Sequence, residues 1–151
     1  MNVTAPDLAT TPQRSGRTML GRFAWLARLA DKVRADHAGT EGDYVAYCGL
    51  STGFLDRAGV SVEGFDKLIA DVGSDADLTR YFDAHVSDAQ REAANRFVLD
   101  DMKSHPDEQD AEEAAPKIVS FIRPRNAISA LTRRSALLNR QRNRHLCGAD
   151  V

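Results

Sequence analysis

The pattern of apolar positions changes near Met19. Residues 1–18 show no apolar period and pass through Thr10-Thr11-Pro12, so they are predicted to form an extended arm packing on the domain. Beyond them, Phe23, Leu26, Ala30, Val33 and His37 recur at helical spacing, with Trp25 and Leu29 widening the stripe. The spacing predicts a helix that starts near Met19 and closes on a left-handed cap at Gly39. His37 lies on its apolar side and reads as a core histidine.

A short apolar stretch follows, Glu41 to Leu50, with Tyr44, Val45, Tyr47 and Cys48. One strand has no partner elsewhere in the chain, so the stretch is read as a connector crossing the core. A run of serine starts and glycine stops comes next. Ser51 is placed to cap a helix through Arg57 that Gly59 ends, and Ser61 one carrying Phe65, Leu68, Ile69 and Val72 before Gly73. Ser74 is placed before Leu78, Tyr81, Phe82 and Val86. Ser87 and Gln90 have capping-box spacing ahead of Ala94, Phe97, Val98 and Met102, in a helix predicted to stop before Pro106.

Asp107 to Glu113 is an acidic run without a large apolar residue, read as a solvated helical turn or a loop. Ile118, Val119, Phe121 and Ile122 form another apolar cluster, and a last helix is predicted from Ala127 with Ile128, Leu131 and Leu138 facing the core. The fold class is therefore all-α: a compact single domain of about six or seven short helices with an extended N-terminal arm. Its organisation reads as arm 1–18, helical domain 19–145 and tail 146–151.

At 151 residues with 42% apolar and 28% charged residues, the chain can bury a single core and is too apolar for wholesale disorder. The net charge of -2 says nothing of partners, but its distribution does. Residues 76–116 hold 4 Lys/Arg and 11 Asp/Glu, whereas residues 117–151 hold 8 and 1. Neighbouring blocks of opposite sign can neutralise each other across helix faces. Two cysteines, Cys48 and Cys147, are too few for a disulfide framework and lack zinc-ligand spacing, so no metal or cofactor is predicted. No apolar run reaches the roughly 20 residues of a membrane span, and the expected location is cytoplasmic.

Chemistry concentrates in the first helix and the arm before it. Asp31 sits three residues from both Arg28 and Arg34 and can pair with either. If the arm folds back, Arg14 joins them in an anion-binding cluster, with Asp31 orienting one guanidinium and Tyr44 closing the network. No catalytic residue is assigned. Gly39-Thr40-Glu41-Gly42 is not a phosphate loop, because it follows a helix and meets the negative end of the helix dipole. Cys48 would need a nearby base or positive charge to act as a nucleophile, and reads otherwise as a buried inert thiol. The arginines 133, 134, 140, 142 and 144 form a basic stripe, but no aromatic residue follows Phe121 to stack on a base, so nucleic acid is not the expected partner.

The same stretch carries a family resemblance. Asp7-Leu8, Thr10-Thr11-Pro12, Arg14-Ser15, Leu20-Gly21, Leu26, Arg28, Asp31-Lys32, Arg34-Ala35, Ala38-Gly39-Thr40, Gly42, Tyr44 and Cys48 resemble an uncharacterised bacterial family, domain of unknown function 5069. The likeness is dense from Asp7 to about Gly59 and thin afterwards, with Ala136-Leu137-Leu138-Asn139 echoing a Leu-Leu-Asp ending. The chain departs from that family's tendencies at Arg22 (glycine there), Ala27 (proline) and Ser51 (aspartate). With Ala27 in place of proline, the first helix is free to begin earlier. The resemblance implies a self-contained helical protein and supplies no mechanism.

Three functions stay in view. The leading one is a small cytoplasmic, non-enzymatic binding or interaction protein with a protein partner or a small anionic ligand. The second is a small enzyme or anionic-metabolite binder using Arg14, Arg28, Asp31, Arg34 and Tyr44. The third is a nucleic-acid-associated protein using its basic C-terminal helix.

Overall fold

A computed structural model describes residues 4–115 of the chain. The apolar stretch at 118–122, the last helix predicted from Ala127, the basic stripe and the tail 146–151 lie outside the described residues. Within them the fold is compact and all-α: α1 (Leu26–Ala38), α2 (Gly49–Ala58), α3 (Val62–Asp71), α4 (Asp75–His85), α5 (Asp88–Arg96), a π-helical segment (Phe97–Asp101) and α6 (Ser104–Ala114).

The helix boundaries follow the predicted punctuation in most places. The hydroxyls of Ser61, Ser74 and Ser87 accept the amides of Gly64, Asp77 and Gln90, and Ser87 and Gln90 form the full capping box. Gly39 and Gly59 close α1 and α2 in the left-handed conformation.

Three expectations fail, each for an identifiable reason. First, α1 does not begin near Met19. Residues 19–25 form a tight loop in which the amides of Leu20 and Phe23 donate to each other's carbonyls, and Trp25 takes φ 66° at the helix start. Trp25 donates its amide to the carbonyl of Gly16, so the arm, rather than another turn of helix, satisfies that group. Phe23 is still fully buried, which is why its spacing mimicked a helix face. Second, Ser51 does not cap α2. The cap position belongs to Cys48, and Ser51 is buried inside the helix with its hydroxyl accepting the Trp25 indole N–H at 3.2 Å. Third, His37 is not in the core; it is exposed and hydrogen-bonded to Asp66 at 3.0 Å.

The helix that starts after Ser87 does stop before Pro106, its last π-helical turn ending at Asp101. The chain passes from α5 through the π-helical segment, where Met102 donates to the carbonyl of Phe97, into a new helix with Pro106 in its first turn. The wider turn leaves Val98 in the core while the Phe97 ring lies under the Arg57 guanidinium at 3.7 Å. The acidic run 107–113 is therefore helical and belongs to α6.

The core is built from aromatic rings contributed by separate elements. Phe82 of α4 is surrounded by Phe23, Phe54 and Phe65, with centroids at 5.1, 6.5 and 6.1 Å. Such pairs add about 0.5–1.5 kcal/mol each beyond area burial. Helix α2 packs on α5 and the π-helical segment, α1 on α3. Ala46 and Cys48 of the connector are buried in the same core, so 41–48 does cross it, as an irregular segment.

Candidate functional site

Helix α1 is buried along almost its whole length, and the residues it buries include four charged ones. Arg28, Asp31, Lys32 and Arg34 are all under a tenth exposed. Buried charges need partners, and the arm, α4 and α6 supply them for three of the four.

The arm does fold back onto α1. Leu8 donates its amide to the carbonyl of Thr40 at 2.9 Å, and the Thr40 hydroxyl donates to the carbonyl of Pro6 at 2.8 Å. Gly42 has φ +62°, a conformation that favours glycine, and a Cβ there would crowd the backbone of Ala9 at 3.0 Å where the arm crosses. Arg14 then grips Asp31 through Nε at 2.9 Å and Nη2 at 2.7 Å, while its own amide donates to the same carboxylate at 3.1 Å. Arg14 Nη1 continues to Asp75 at 2.7 Å, and Asp75 is shared with Arg34 Nη1 at 2.6 Å. The hydrogen bond to Asp31 raises the Arg14 pKa despite partial burial. Burial pushes Asp75 up, but hydrogen bonds from Arg14 and Arg34 outweigh it and leave its pKa lowered.

Arg28 faces the other way, toward α6. Its guanidinium donates to both carboxylate oxygens of Glu113 and to the carbonyl of Arg14 at 3.2 Å, and it forms a longer ion pair with Asp110 at 3.6 Å. Gln13 donates to Glu113 at 3.1 Å, Ser15 bonds to Asp110, and Arg17 to Asp107 at 2.6 Å. Tyr44 borders this group: burial first, then the charge of Glu113, pushes its phenol up to about 12. The five predicted residues thus fall along one polar seam, with Arg14 linking its Asp31–Asp75–Arg34 end to its Arg28–Glu113–Tyr44 end.

Composition and periodicity missed the α6 contributors. Asp107, Asp110 and Glu113 recur every three residues, a helical face of carboxylates, and each meets an arginine from the arm or α1. That spacing was the available signal. Asp75 was missed too, hidden among the first-turn acids of α4.

The fourth charge, Lys32, sits elsewhere. Its ammonium lies 3.4 Å from the sulfur of Cys48 and 5.6 Å from the Trp25 ring, which also has the Arg28 guanidinium at 5.4 Å. Cys48 is also 3.4 Å from Ser51 Oγ. The connector thiol therefore does meet a positive group.

Among the described residues no group of three His, Cys, Asp or Glu side chains is arranged to hold a metal ion, and no helix is long and apolar enough to cross a membrane. An all-α domain in which an arm is bound to its first helix by alternating Arg and carboxylate groups is the class that these features define. The family model for a domain of unknown function, DUF5069, matches residues 10–137, and the chain belongs to that family. No curated protein matches it. Its function is accordingly unknown from its relatives.

Proposed function

We propose that the protein is a small, non-enzymatic, cytoplasmic bacterial binding or interaction protein, and that the seam of Arg14, Arg28, Asp31, Arg34 and Tyr44 is a clasp that shapes it. In this reading residues 19–145 act as one domain, with 1–18 as its arm and 146–151 as a tail. One observation carries the reading: three guanidiniums, of Arg14, Arg28 and Arg34, face four carboxylates, of Asp31, Asp75, Asp110 and Glu113. A seam with a carboxylate in excess repels a free anion, which would have to displace a side chain already in place.

The second reading, an anionic-metabolite site or small enzyme, is favoured by a different observation. Arg28 Nε and Arg34 Nη2 are buried and have no hydrogen-bond partner among the described residues, so two donors stand ready for a ligand. Thermal unfolding with phosphate, sulfate and citrate, at constant ionic strength, separates the two. A ligand at a hundred times its dissociation constant stabilises by about 2.7 kcal/mol. The clasp reading expects no saturable shift. A saturable rise in melting temperature that Arg34→Lys abolishes would replace it with the metabolite reading. The nucleic-acid alternative rests on arginines outside the described residues, and salt-sensitive binding of single- or double-stranded oligonucleotides by the full chain would be its support.

A further inference from the structure

Lys32 differs from every other buried charge on α1. Each of the arginines there meets a carboxylate, whereas the only hydrogen bond described for the Lys32 ammonium, itself 2% exposed, goes to the Cys48 sulfur. Burying an ammonium without a counter-charge costs several kcal/mol, and among the described residues the Cys48 thiol to which it is hydrogen-bonded is able to supply a negative charge by losing a proton.

Three independent features favour that thiolate. Lys32 donates to it. Cys48 holds the N-cap position of α2, a ten-residue helix, where unpaired amides and the helix dipole favour an anion. The third is Ser51: its oxygen accepts the Trp25 indole N–H, and its hydroxyl, 3.4 Å from the sulfur, is able to donate to a thiolate there.

We propose that Lys32 and Cys48 form a peroxide-responsive modification site, in which Cys48 is oxidised to a sulfenic acid and then joined to the Lys32 amine as a sulfenamide. The chemistry balances with hydrogen peroxide as the only co-reactant. The thiolate sulfur attacks one peroxide oxygen, the O–O bond breaks, and hydroxide leaves; sulfur loses two electrons and peroxide gains them. Hydroxide takes a proton from the Lys32 ammonium and becomes water. The freed amine attacks the sulfenic sulfur, an S–N bond forms, the S–O bond breaks, and the departing hydroxide leaves as a second water with an N–H proton. The product ties α1 to the start of α2, and a thiol reductant reverses it. Both residues are only 2% exposed, which excludes bulky disulfides as oxidants.

The test is peptide mapping of the full chain carrying Cys147→Ser, folded and treated with hydrogen peroxide. The expected product joins the Lys32 and Cys48 peptides with loss of two hydrogen masses, and dithiothreitol separates them. Lys32→Arg keeps the cation but removes the nucleophile, so it gives no joined peptide and a sulfenic acid that dimedone traps. Ser51→Asp gives Lys32 a carboxylate in place of the thiolate and slows oxidation at least tenfold. The proposal is overturned if Cys48 stays a thiol under peroxide that oxidises the same chain in urea. It is equally overturned if Cys48 oxidises without joining Lys32, or if the joined pair also carries an added oxygen. Circular dichroism establishes that each variant is folded; should Lys32→Arg not fold, mapping of the Cys147→Ser chain alone decides.

Discussion

The seam around Arg14 and the pocket around Lys32 bury cations on the same helix in opposite ways. Arg14, Arg28 and Arg34 are planar, multiply donating groups, and each is met by carboxylates from another element. Lys32 is a point charge beside a thiol and an indole face. The first arrangement ties three parts of the chain together, since removing any partner strands charges on the others. The second holds little together and leaves an ammonium beside a nucleophile. Burial alone does not say whether a charge is there for stability; the identity of its partner does.

The largest expected effect separates the two directly. Asp31→Ala removes the acceptor of two guanidinium nitrogens and one amide of Arg14. Breaking a buried pair typically costs about 3–5 kcal/mol, and because Arg14 keeps Asp75 and is one-third exposed, a loss of about 2–4 kcal/mol is expected in urea unfolding. Lys32→Met should behave differently. It replaces an ammonium by an apolar group of similar length, lets Cys48 stay a neutral thiol, and is expected to change stability by less than about 1 kcal/mol in either direction. Equal losses for the two variants would erase the distinction.

A smaller effect comes from pH. The folded-state pKa of Asp75 is lowered, so its contribution is fully present above the unfolded carboxylate value of about 3.9 and is lost as pH falls through the folded value. Stability measured from pH 6 downward should therefore stay level to about pH 4 and then drop, and Asp75→Asn should flatten part of that drop. Tyr44 acts at the other end with opposite sense. Its raised pKa means that stability present below about pH 10 declines as pH rises toward about 12.

How much of this was legible beforehand varies by element. Serine caps and glycine stops are local chemistry, and Ser61, Ser74, Ser87, Gly39 and Gly59 could be read directly. The start of α1 could not, because Phe23 and Trp25 are buried by a tight loop and an arm contact that produce the same apolar spacing as a helix. Ser51 looked like a cap because nothing local shows that a distant indole will claim its hydroxyl. The five residues of the seam were visible as an odd density of charge, but their partners Asp110 and Glu113 lie about 80 residues from Arg28 in a run that looked like solvated surface. Charge matching between distant segments leaves only a spacing signature, and that signature was present at 107, 110 and 113.

The central claim is that the seam is a clasp whose members act through one another. A double-mutant cycle of Arg14→Ala and Asp31→Ala, read by urea unfolding of the full chain, tests it most directly. The two single variants should each lose stability, and the double variant should lose less than their sum, with a coupling of about 1.5–3 kcal/mol. A coupling near zero, with Arg14→Ala as stable as the unaltered protein, would show that Arg14 and Asp31 do not hold the arm to α1.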